Sequence, residues 1–503
     1  MQCDLLVVGG GINGSGIARD AAGRGLSVVL CEQDDLASHT SSASTKLIHG
    51  GLRYLEHREF GLVRKALHER EVLLRAAPHL IRPLRFVLPH DSHQRPAWLI
   101  RAGLWLYDHL ARRELLPGSG RIALRRHPAG QPLKAEFATG FVYSDGWVDD
   151  ARLVVANAID AAEQGATILT RTRCTDAMRQ GAAWQATLVR ADGADLTVQA
   201  RCLVNAAGPW AAQFHQAALP ALRQQAVRLV KGSHIVVRKL FDHPYAYIFQ
   251  HPDGRIVFAI PYESDFTLIG TTDVDFRGNP ASVSITADEI AYLCELCSHY
   301  FAQPVTPDDV VQTFSGVRPL LDEGLAAAST LTRDYLLELD TGGAPMLSVF
   351  GGKITTYRKL AEEALDRLAP LLQPARGSWT ENASLPGADF HGRRSSNAAV
   401  TGFDDFVRRQ QAHYGWLPPP LVARYAHAYG TRIRQLLAGC DDLADMGQEI
   451  LPGLFEAEAR HWMTREWALT AEDMLWRRSK LGLHVSADGV ATLAAWIARQ
   501  PPP

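Results

Sequence analysis

The pattern of apolar and polar positions changes from strand-like to helix-like at the start of the chain. DLLVV is a short apolar run bounded by glycine, which is typical of a buried parallel strand. SGIARDAAGRG has helical spacing, and LSVVLCE predicts a second strand. Farther on, SHIVV, AYIFQ, RIVFAI and FTLIGTTD read as strands, with HPDG as a hairpin turn. From about residue 390, after the linker-like GADFHGRRSSN, the signals are helical.

The junction between the first predicted strand and helix carries the spacing G-x-G-x-x-G in GGGING, residues 9–14. Glycines at these positions allow a tight turn and a close approach to a pyrophosphate, whose charge is favoured at a helix N-terminus. Glu32, at the end of the second strand, stands near the distance expected for an acid that binds a ribose. The register of these elements favours dinucleotide binding over a chance glycine-rich turn.

Further ligand-like stretches favour FAD over NAD as the dinucleotide. HTSSASTKLIHGG follows the second strand, LVNAAGPWA is a buried strand with a glycine turn, and SVFGGKITTYRKLAEEAL is a strand, a turn and a helix. Each could be an ordinary strand-to-helix turn. The last stretch directs a helix N-terminus and Lys353 toward negative charge, such as the N1–O2 edge of a reduced flavin. FAD is long enough to contact all of these stretches, whereas NAD is not.

The bulk composition excludes several classes of protein. A chain of 503 residues with 47% hydrophobic residues predicts two or three globular domains. A net charge of -2, without a basic stripe, gives no indication of nucleic-acid binding. The CxxC of Cys294 and Cys297 lies in a helical pattern without a second pair, which favours core packing over a metal site. We expect no signal peptide or membrane span, and a reduced, cytoplasmic location.

Motifs along almost the whole chain resemble those of the aerobic, FAD-dependent glycerol-3-phosphate dehydrogenases. They include TSSASTKLIHGGLRYLEH, YSDGWVDDARLV, NAAGPW, KGSHIVV, GTTDV, SGVRPL, TRDY and MLWRRSKLGL, of which KLIHGGLRYLE and SGVRPL are specific to that family. The resemblance implies oxidation of glycerol 3-phosphate through FAD, with electrons passing to a membrane quinone. It also implies a homodimer attached peripherally to the inner face of the cell membrane.

The resemblance and the strand pattern together predict a fold of three parts. They are an α/β Rossmann-like FAD-binding domain (1–75, 146–225 and 315–389), an inserted antiparallel-sheet substrate domain (76–145 and 226–314) and an all-helical C-terminal domain (390–503). The residues expected to bind FAD are Gly9, Gly11, Ile12, Asn13, Gly14, Glu32, Thr40, Ser41, Ser42, Ser44, Lys46, Leu47, His49, Gly50, Ala207, Gly208, Gly351, Gly352, Lys353 and Thr355.

A phosphate dianion is best held by arginine, and the resemblance assigns Arg53, Arg318 and Arg333 to the substrate. Arg318 could instead be buried with a carboxylate, and Arg333 could form a surface ion pair with Asp334. Arg53 is the least ambiguous, because apolar and aromatic residues flank it. Tyr54 and Thr271 are expected beside the substrate as well.

His234 in KGSHIVV is the first candidate for the base that removes the hydroxyl proton, because imidazole titrates near neutral pH. A route assisted by Arg318 stays open. His49 is the rival, although its place beside Gly50 suggests a hydrogen bond to the flavin ring. Lys353 is expected to stabilise the reduced flavin rather than to act as the base.

PAWLIRAGLWLYDHLARREL, residues 96–115, mixes tryptophan and arginine and could form an interfacial helix. A helix in the core of the substrate domain is the favoured interpretation. The short LWRRSK is basic and aromatic but decides nothing by itself.

Three other functions remain compatible with the sequence. A glycerol-3-phosphate oxidase would share these motifs and reduce oxygen. An enzyme for an amino acid or a 2-hydroxy acid would need less positive charge than three arginines provide. A non-catalytic flavin-holding scaffold or sensor would not need the base and the arginines.

Overall fold

The computed structural model describes residues 1–56, 58–91, 95–220, 227–251, 255–321, 334–390 and 392–501. The helices of this part are α1 Ile12–Gly23, α2 Phe60–Ala76, α3 Ala97–His109, α4 Asp150–Glu163, α5 Ala211–Ala218, α6 Ala287–Tyr300, α7 Tyr357–Leu372, α8 Asn397–Thr401, α9 Phe403–His413, α10 Pro419–Tyr429, α11 Ile433–Leu436, α12 Glu456–Glu466 and α13 Ala487–Ala498. None of the helices described is long and apolar enough to cross a bilayer.

The strands are β1 Gln2–Val8, β2 Val28–Cys31, β3 Leu47–Ile48, β4 Ile81–His90, β5 Gly120–Ala123, β6 Thr139–Val148, β7 Thr167–Leu169, β8 Thr172–Gln180, β9 Ala183–Arg190, β10 Asp195–Asn205, β11 Val227–Arg238, β12 Ala246–Gln250, β13 Ile256–Tyr262, β14 Phe266–Gly270, β15 Val274–Asp275, β16 Val310–Leu321, β17 Tyr335–Asp340, β18 Met346–Gly351, β19 Glu449–Leu451 and β20 Leu454–Phe455. Most of them belong to two sheets.

The first sheet has the order β17-β18-β10-β1-β2-β7, and the pairs from β18 to β7 are parallel. Its central strand β1 is apolar and buried, with Leu5, Leu6 and Val7 fully inaccessible. A strand covered on both faces reads as a continuous apolar run, which is why DLLVV was recognisable in the sequence. Helices α1, α4 and α7 pack together in the core beside this sheet.

The second sheet has the order β15-β11-β14-β13-β12-β4-β6-β3, with β16 paired to β11 and β5 to β6. The four predicted strand runs form β11 to β14, and most of HPDG lies outside the described residues. Strands β3 and β16 belong to this sheet, although the predicted limits assign residues 1–75 and 315–389 to the FAD-binding domain. The exact domain limits stay a prediction.

Helix α6 covers one face of the second sheet. It begins with a capping box in which Thr286 and Glu289 bond reciprocally, and it buries Cys294 and Cys297. Both thiols are free and buried, which agrees with a role in core packing. The Glu289 carboxylate also accepts hydrogen bonds from the Ser233 and Thr272 hydroxyls, so the helix is tied directly to β11.

The C-terminal part is helical and has its own core, in which Tyr425, Leu454, Trp462, Met474 and Leu493 are buried. Helices α8 to α13 build it together with a π-helix over Asp473–Arg478. A two-stranded hairpin of β19 and β20 is a small addition to the predicted helices. The predicted fold class, an α/β Rossmann-like domain with an inserted antiparallel-sheet domain and a helical C-terminal domain, is confirmed, although the β12–β4 pair of the second sheet is parallel.

Buried ion pairs join the C-terminal helices to the first sheet. The Asp35 carboxylate, in the loop after β2, accepts a hydrogen bond of 2.7 Å from Arg477 Nε and two, of 2.7 and 2.6 Å, from the Arg478 guanidinium. Arg152 of α4 pairs with Glu466 of α12. The basic cluster in LWRRSK therefore serves packing between these two parts of the chain.

Replacing Asp35 by Asn should destabilise the contact between the C-terminal helices and the first sheet. Two buried guanidinium groups would lose their shared counter-charge, a loss of about 3–5 kcal/mol when one partner of a buried pair is removed. The midpoint of urea unfolding should fall accordingly. Asp405→Asn is the control, because its exposed pair with Arg408 contributes about 0–1 kcal/mol. An unchanged midpoint for Asp35→Asn would contradict this account.

Candidate active site

The turn between β1 and α1 needs glycine at two positions. Gly9 has φ +112°, a conformation that side-chain-bearing residues rarely adopt, and a Cβ there would lie 2.4 Å from the Ala206 carbonyl oxygen. A Cβ on Gly14 would lie 1.9 Å from the Gly9 carbonyl oxygen. The first turn of α1 can therefore approach the strand closely. This is the geometry that brings a pyrophosphate to a helix N-terminus.

Glu32 secures this turn from the end of β2. Its buried carboxylate accepts a hydrogen bond of 2.7 Å from the Gly10 amide and one of 2.9 Å from the Asp34 amide. Burial raises the pKa of Glu32, and the two amides act in the opposite direction. The acid expected to bind a ribose thus holds the glycine loop as well.

A cavity of about 260 Å³ opens at the carboxyl ends of β1, β2 and β10. In open parallel sheets this edge is where ligands bind. Many of the residues expected to bind FAD line it, together with aromatic residues that the sequence did not single out: Gly9, Gly11, Glu32, Thr40, Ser41, Ala207, Gly208, Trp210 and Phe214.

The segment Thr40–Gly51 runs from this cavity to the second sheet. The Thr40 hydroxyl donates to the Val317 carbonyl at 2.7 Å, and the Ser41 hydroxyl accepts from the Ile12 amide at 3.0 Å. Leu47 is buried in β3 against the second sheet. The segment is therefore bonded both to α1 and to β16.

Two side chains of this segment that are predicted to bind FAD, those of Ser44 and Lys46, have a partner within the protein. Lys46 Nζ lies 2.8 Å from an Asp150 carboxylate oxygen, and the Ser44 hydroxyl donates to the other at 2.7 Å. Lys46 and Asp150 are both buried. A buried charge needs its partner, so these side chains hold the loop on α4, and their contact with FAD stays a prediction.

Gly50 is held by a buried polar group that the sequence did not reveal. The Gly50 amide donates to the Tyr107 hydroxyl at 2.9 Å, and that hydroxyl lies 2.8 Å from both carboxylate oxygens of Asp145. Arg70 pairs with Asp145 at 2.7 Å. Helix α3, which carries Tyr107, thus holds Gly50 in place through this hydrogen bond.

A second glycine turn, after β18, faces the same segment. Gly351 and Gly352 have φ of +77° and +101°, which favours glycine at both positions. Asn13 of α1 donates from Nδ2 to the Gly351 carbonyl at 3.3 Å, so the turn lies against the start of α1. Lys353 Nζ is 4.3 Å from the centre of the Tyr54 ring.

Thr355, just after this turn, accepts a hydrogen bond of 3.2 Å at its hydroxyl from the His49 amide. The turn after β18 therefore contacts both α1 and the Thr40–Gly51 segment. These are the positions from which the sequence predicts contacts to the flavin end of FAD.

On the second sheet, the strand register brings two predicted substrate residues, Arg318 and Thr271, close to His234, the predicted base. β16 pairs with β11 so that Val230 faces Arg318 and His234 faces Phe314. Because side chains alternate along a strand, Arg318 and Phe314 share a face. Arg318 Nη2 donates to the Thr271 hydroxyl at 3.0 Å. Arg318 also forms an ion pair with Asp273. The sequence allowed Arg318 either a carboxylate partner or a role at the substrate site, and the structure contains both the carboxylate and the contact with Thr271.

His234 is fully buried on β11. Its ring stacks on Phe314 with centroids 4.8 Å apart, and Nε2 lies 3.0 Å from the Thr45 hydroxyl. Burial first, then the charges of Arg318 and Lys46, hold the pKa of His234 well below its ordinary value. The imidazole is therefore neutral at physiological pH.

The structure thus collects most of the predicted residues around the Thr40–Gly51 segment. Arg333 and the side chain of Arg53 lie outside the described residues, so their roles stay predictions. Sequence reasoning missed Thr45, Asp273 and Trp210, although each lies inside or beside a motif already noted, namely STK, GTTDV and NAAGPW. The motifs therefore marked the neighbourhood of these three residues, but their contacts could not be predicted because their partners are distant in the chain.

The family comparisons agree with this geometry. Residues 4–358 match the model described as FAD dependent oxidoreductase, and residues 378–499 match that of the C-terminal domain of alpha-glycerophosphate oxidase. A glycerol-3-phosphate dehydrogenase of Pseudomonas aeruginosa is 53% identical, with 99% of this chain and 96% of the relative covered. A D-erythritol 1-phosphate dehydrogenase of Brucella abortus is 49% identical, covering 98% and 97%.

A solved structure is similar as well. The glycerol-3-phosphate dehydrogenase of Bacillus halodurans in complex with FAD matches with a TM-score of 0.79 at 27% identity, covering 99% of this chain and 90% of that chain. The fold and its glycine turns define an FAD-dependent oxidoreductase. The chain belongs to the family of FAD-dependent glycerol-3-phosphate dehydrogenases, and it is an enzyme with FAD as its cofactor.

Replacing Gly14 by Ala should lower the FAD content of the purified enzyme severely. The added methyl group would overlap the Gly9 carbonyl oxygen and displace the turn that must approach the pyrophosphate. The ratio of flavin to protein absorbance measures this, with circular dichroism as a check on folding. Gly61→Ala on α2 is the control, because a Cβ there meets nothing within 4 Å. Full FAD content in a folded Gly14→Ala protein would contradict the assignment.

Proposed function

We propose that the enzyme oxidises sn-glycerol 3-phosphate to dihydroxyacetone phosphate. The observation that carries the proposal is the pairing of a guanidinium and a hydroxyl, Arg318 and Thr271, beside the buried imidazole of His234. The first two suit a phosphate and the third suits removal of a hydroxyl proton. The glycerol-3-phosphate dehydrogenase of P. aeruginosa, at 53% identity, supports this choice of substrate.

Arg318 is the proposed anchor of the phosphate. Its guanidinium is a forked donor that matches phosphate oxygens, and Asp273 and Thr271 fix its orientation. Arg53 and Arg333 are the further cations proposed for this dianion, with Tyr54 beside them. An anchored phosphate restricts where the C2 hydroxyl can lie, which supplies the orientation that catalysis needs.

His234 is the proposed base. In the tautomer in which Nε2 donates to Thr45, the lone pair of Nδ1 stays available, because Nδ1 has no hydrogen-bond partner within the described residues. The hydroxyl proton at C2 passes to this imidazole as the C2–O bond becomes a carbonyl. Bound FAD would supply the acceptor for the hydride that leaves C2.

Lys353 is proposed to place positive charge at the flavin end of the site. It follows the Gly351–Gly352 turn, and its Nζ lies over the Tyr54 ring. An ammonium at this point favours any negative charge that develops beside it during the oxidation.

We further propose a membrane quinone as electron acceptor for a homodimer on the inner face of the membrane. The resemblance to aerobic, quinone-linked dehydrogenases supports this part. An oxidase that uses oxygen is the alternative.

Arg318→Ala should raise KM for glycerol 3-phosphate about 10- to 150-fold while FAD stays bound. The expected range follows from about 1.5–3 kcal/mol for a hydrogen bond to a charged group. Steady-state kinetics and the flavin spectrum measure the two effects. Arg228→Ala is a matched control, because this arginine pairs with Asp275 near the exposed end of the same strand as His234. Loss of FAD in Arg318→Ala would instead make Arg318 a cofactor residue.

His234→Ala should slow flavin reduction far more than it weakens substrate binding, and stopped-flow measurements separate these effects. Since the pKa of His234 is lowered, the wild-type imidazole stays neutral as the pH falls through 6.5, the ordinary histidine value. The acid limb of the reduction rate should therefore lie well below that pH. An unchanged rate in His234→Ala would remove this residue as the base.

The reduced enzyme should be reoxidised rapidly by a soluble quinone and slowly by oxygen or NAD⁺. Anaerobic mixing with each acceptor in turn, with detection of hydrogen peroxide, tests this. Rapid formation of stoichiometric peroxide would identify an oxidase.

A further inference from the structure

Helix α6 bonds to the face of the second sheet that lies opposite the proposed base. Ser233 of β11 is paired with Ser315 of β16. The adjacent pair in the register is His234 and Phe314. Because side chains alternate along a strand, the two serines lie on one face and the stacked rings of His234 and Phe314 on the other. On the serine face, the Ser233 hydroxyl donates to the Glu289 carboxylate of α6 at 2.9 Å.

The Glu289 carboxylate connects three segments of the chain. Its Oε1 accepts hydrogen bonds from Ser233 of β11 and from Thr272, which follows β14, at 2.9 and 2.8 Å. Ser315 Oγ lies 2.9 Å from Ser233 Oγ, so the bridge continues to β16. The Thr272 hydroxyl also accepts from the Ser233 amide at 3.0 Å. One carboxylate oxygen thus holds β11, β16 and the turn after β14 together.

The groups of this bridge are buried. Ser233 is inaccessible, and Thr272 and Glu289 are 1% and 7% exposed. Lys231 pairs with the other carboxylate oxygen at 2.7 Å. Burial acts to raise the pKa of Glu289, but the bonds from Lys231, the Thr286 amide and the two hydroxyls lower it below its ordinary value. The group is therefore a carboxylate at neutral pH, which strengthens its hydrogen bonds.

The opposite face carries the proposed anchor and base in contact with the same segments. The Thr271 hydroxyl, in the turn after β14, accepts from Arg318 Nη2 at 3.0 Å. A Cβ on Gly232 of β11 would overlap the Arg318 guanidinium and lie 2.8 Å from that hydroxyl, so both groups lie directly against the strand. His234 is on the same strand. A displacement of β11 from β16 or from the turn would therefore change the distances among these three side chains.

We propose that Glu289 is a positioning residue for the proposed reaction. Its carboxylate fixes β11, β16 and the turn after β14 relative to one another, and it thereby holds Arg318 and Thr271 in register with His234. Catalytic groups need a fixed geometry, which buried bonds behind them supply. The proposal rests on the proposed function and adds to it a residue on the far side of the sheet.

The test compares Glu289→Ala with Glu289→Gln. Both remove the charge that balances the buried Lys231, so both should lower the midpoint of urea unfolding. Only the alanine variant loses the bridge, because a carboxamide can still bond to the Ser233 and Thr272 hydroxyls, which donate or accept. In Glu289→Ala, KM for glycerol 3-phosphate should rise and the rate of flavin reduction at saturating substrate should fall, each about 10-fold. In Glu289→Gln, both should change less than about 3-fold.

Thr286→Ala is the matched control on α6. It removes the hydroxyl of the capping box and lowers helix stability, but it leaves the bonds from Ser233 and Thr272 to Glu289 in place. Its KM and reduction rate should equal those of the wild type. Ser233→Ala changes no charge, and it decides the question if Glu289→Ala does not fold. It should raise KM about 3- to 10-fold, and an unchanged KM would overturn the bridge.

Binding of inorganic phosphate to the oxidised holoenzyme, measured by calorimetry, tests the anchor without any reaction. The dissociation constant should rise about 10-fold in Glu289→Ala and less than about 3-fold in Glu289→Gln. Equal effects of Glu289→Ala and Glu289→Gln, or of Glu289→Ala and Thr286→Ala, would overturn the positioning role.

The same measurements separate this role from the proposed function. If glycerol 3-phosphate does not reduce the wild type, the proposed function fails, and the phosphate dissociation constants alone decide the positioning role. A wild type that neither is reduced nor binds phosphate would overturn both proposals.

Discussion

The segment Thr40–Gly51 must contact both sheets at once, and the arrangement of the active site depends on this constraint. Its Ser41 hydroxyl accepts a hydrogen bond from the Ile12 amide of α1. Its Thr40 hydroxyl donates to the Val317 carbonyl of β16, and its Thr45 hydroxyl forms a hydrogen bond with the His234 ring. The nucleotide-binding turn and the candidate base are therefore positioned by a single stretch of chain. The buried pair of Lys46 and Asp150 holds that stretch in place.

Electrostatics couple the two tasks proposed for the second sheet. The positive charge of Arg318 suits a phosphate, and the same charge helps to lower the pKa of His234. A cation near the imidazole keeps it unprotonated before the reaction, whereas the same charge disfavours the protonated form that proton transfer produces. Asp273 balances part of the charge of Arg318 when no phosphate is present.

Local features of the fold could be predicted from the sequence, whereas partners far apart in the chain could not. The glycine turns at Gly9 and Gly351 follow from backbone conformations that glycine favours, so a short stretch of sequence indicates them. The four strand runs of the second sheet are likewise local patterns. Asp150, which binds Lys46, is 104 residues away, and no pattern links the two.

Partners that are far apart in the chain also explain why the roles of LWRRSK and of helix α3 could not be predicted from the sequence. The role of LWRRSK could not be predicted from the sequence, because Asp35, the carboxylate that binds its two arginines, lies more than 400 residues earlier. In α3, the pattern was compatible with a core helix and with an interfacial one, and the structure shows that the two faces differ, since Tyr107 is buried and Trp105 is 60% exposed. Whether a side chain is exposed depends on its neighbours in space, which the sequence of one helix does not specify.

The central claim is that a phosphate-bearing alcohol reduces the bound FAD. The most direct measurement is the flavin absorbance of the anaerobic holoenzyme after mixing with sn-glycerol 3-phosphate, with D-erythritol 1-phosphate and glycerol as comparisons. We expect complete bleaching by glycerol 3-phosphate at low concentration and none by glycerol at the same concentration, because glycerol lacks the phosphate. An oxidised spectrum that persists with glycerol 3-phosphate, or equal bleaching by glycerol, would contradict the account.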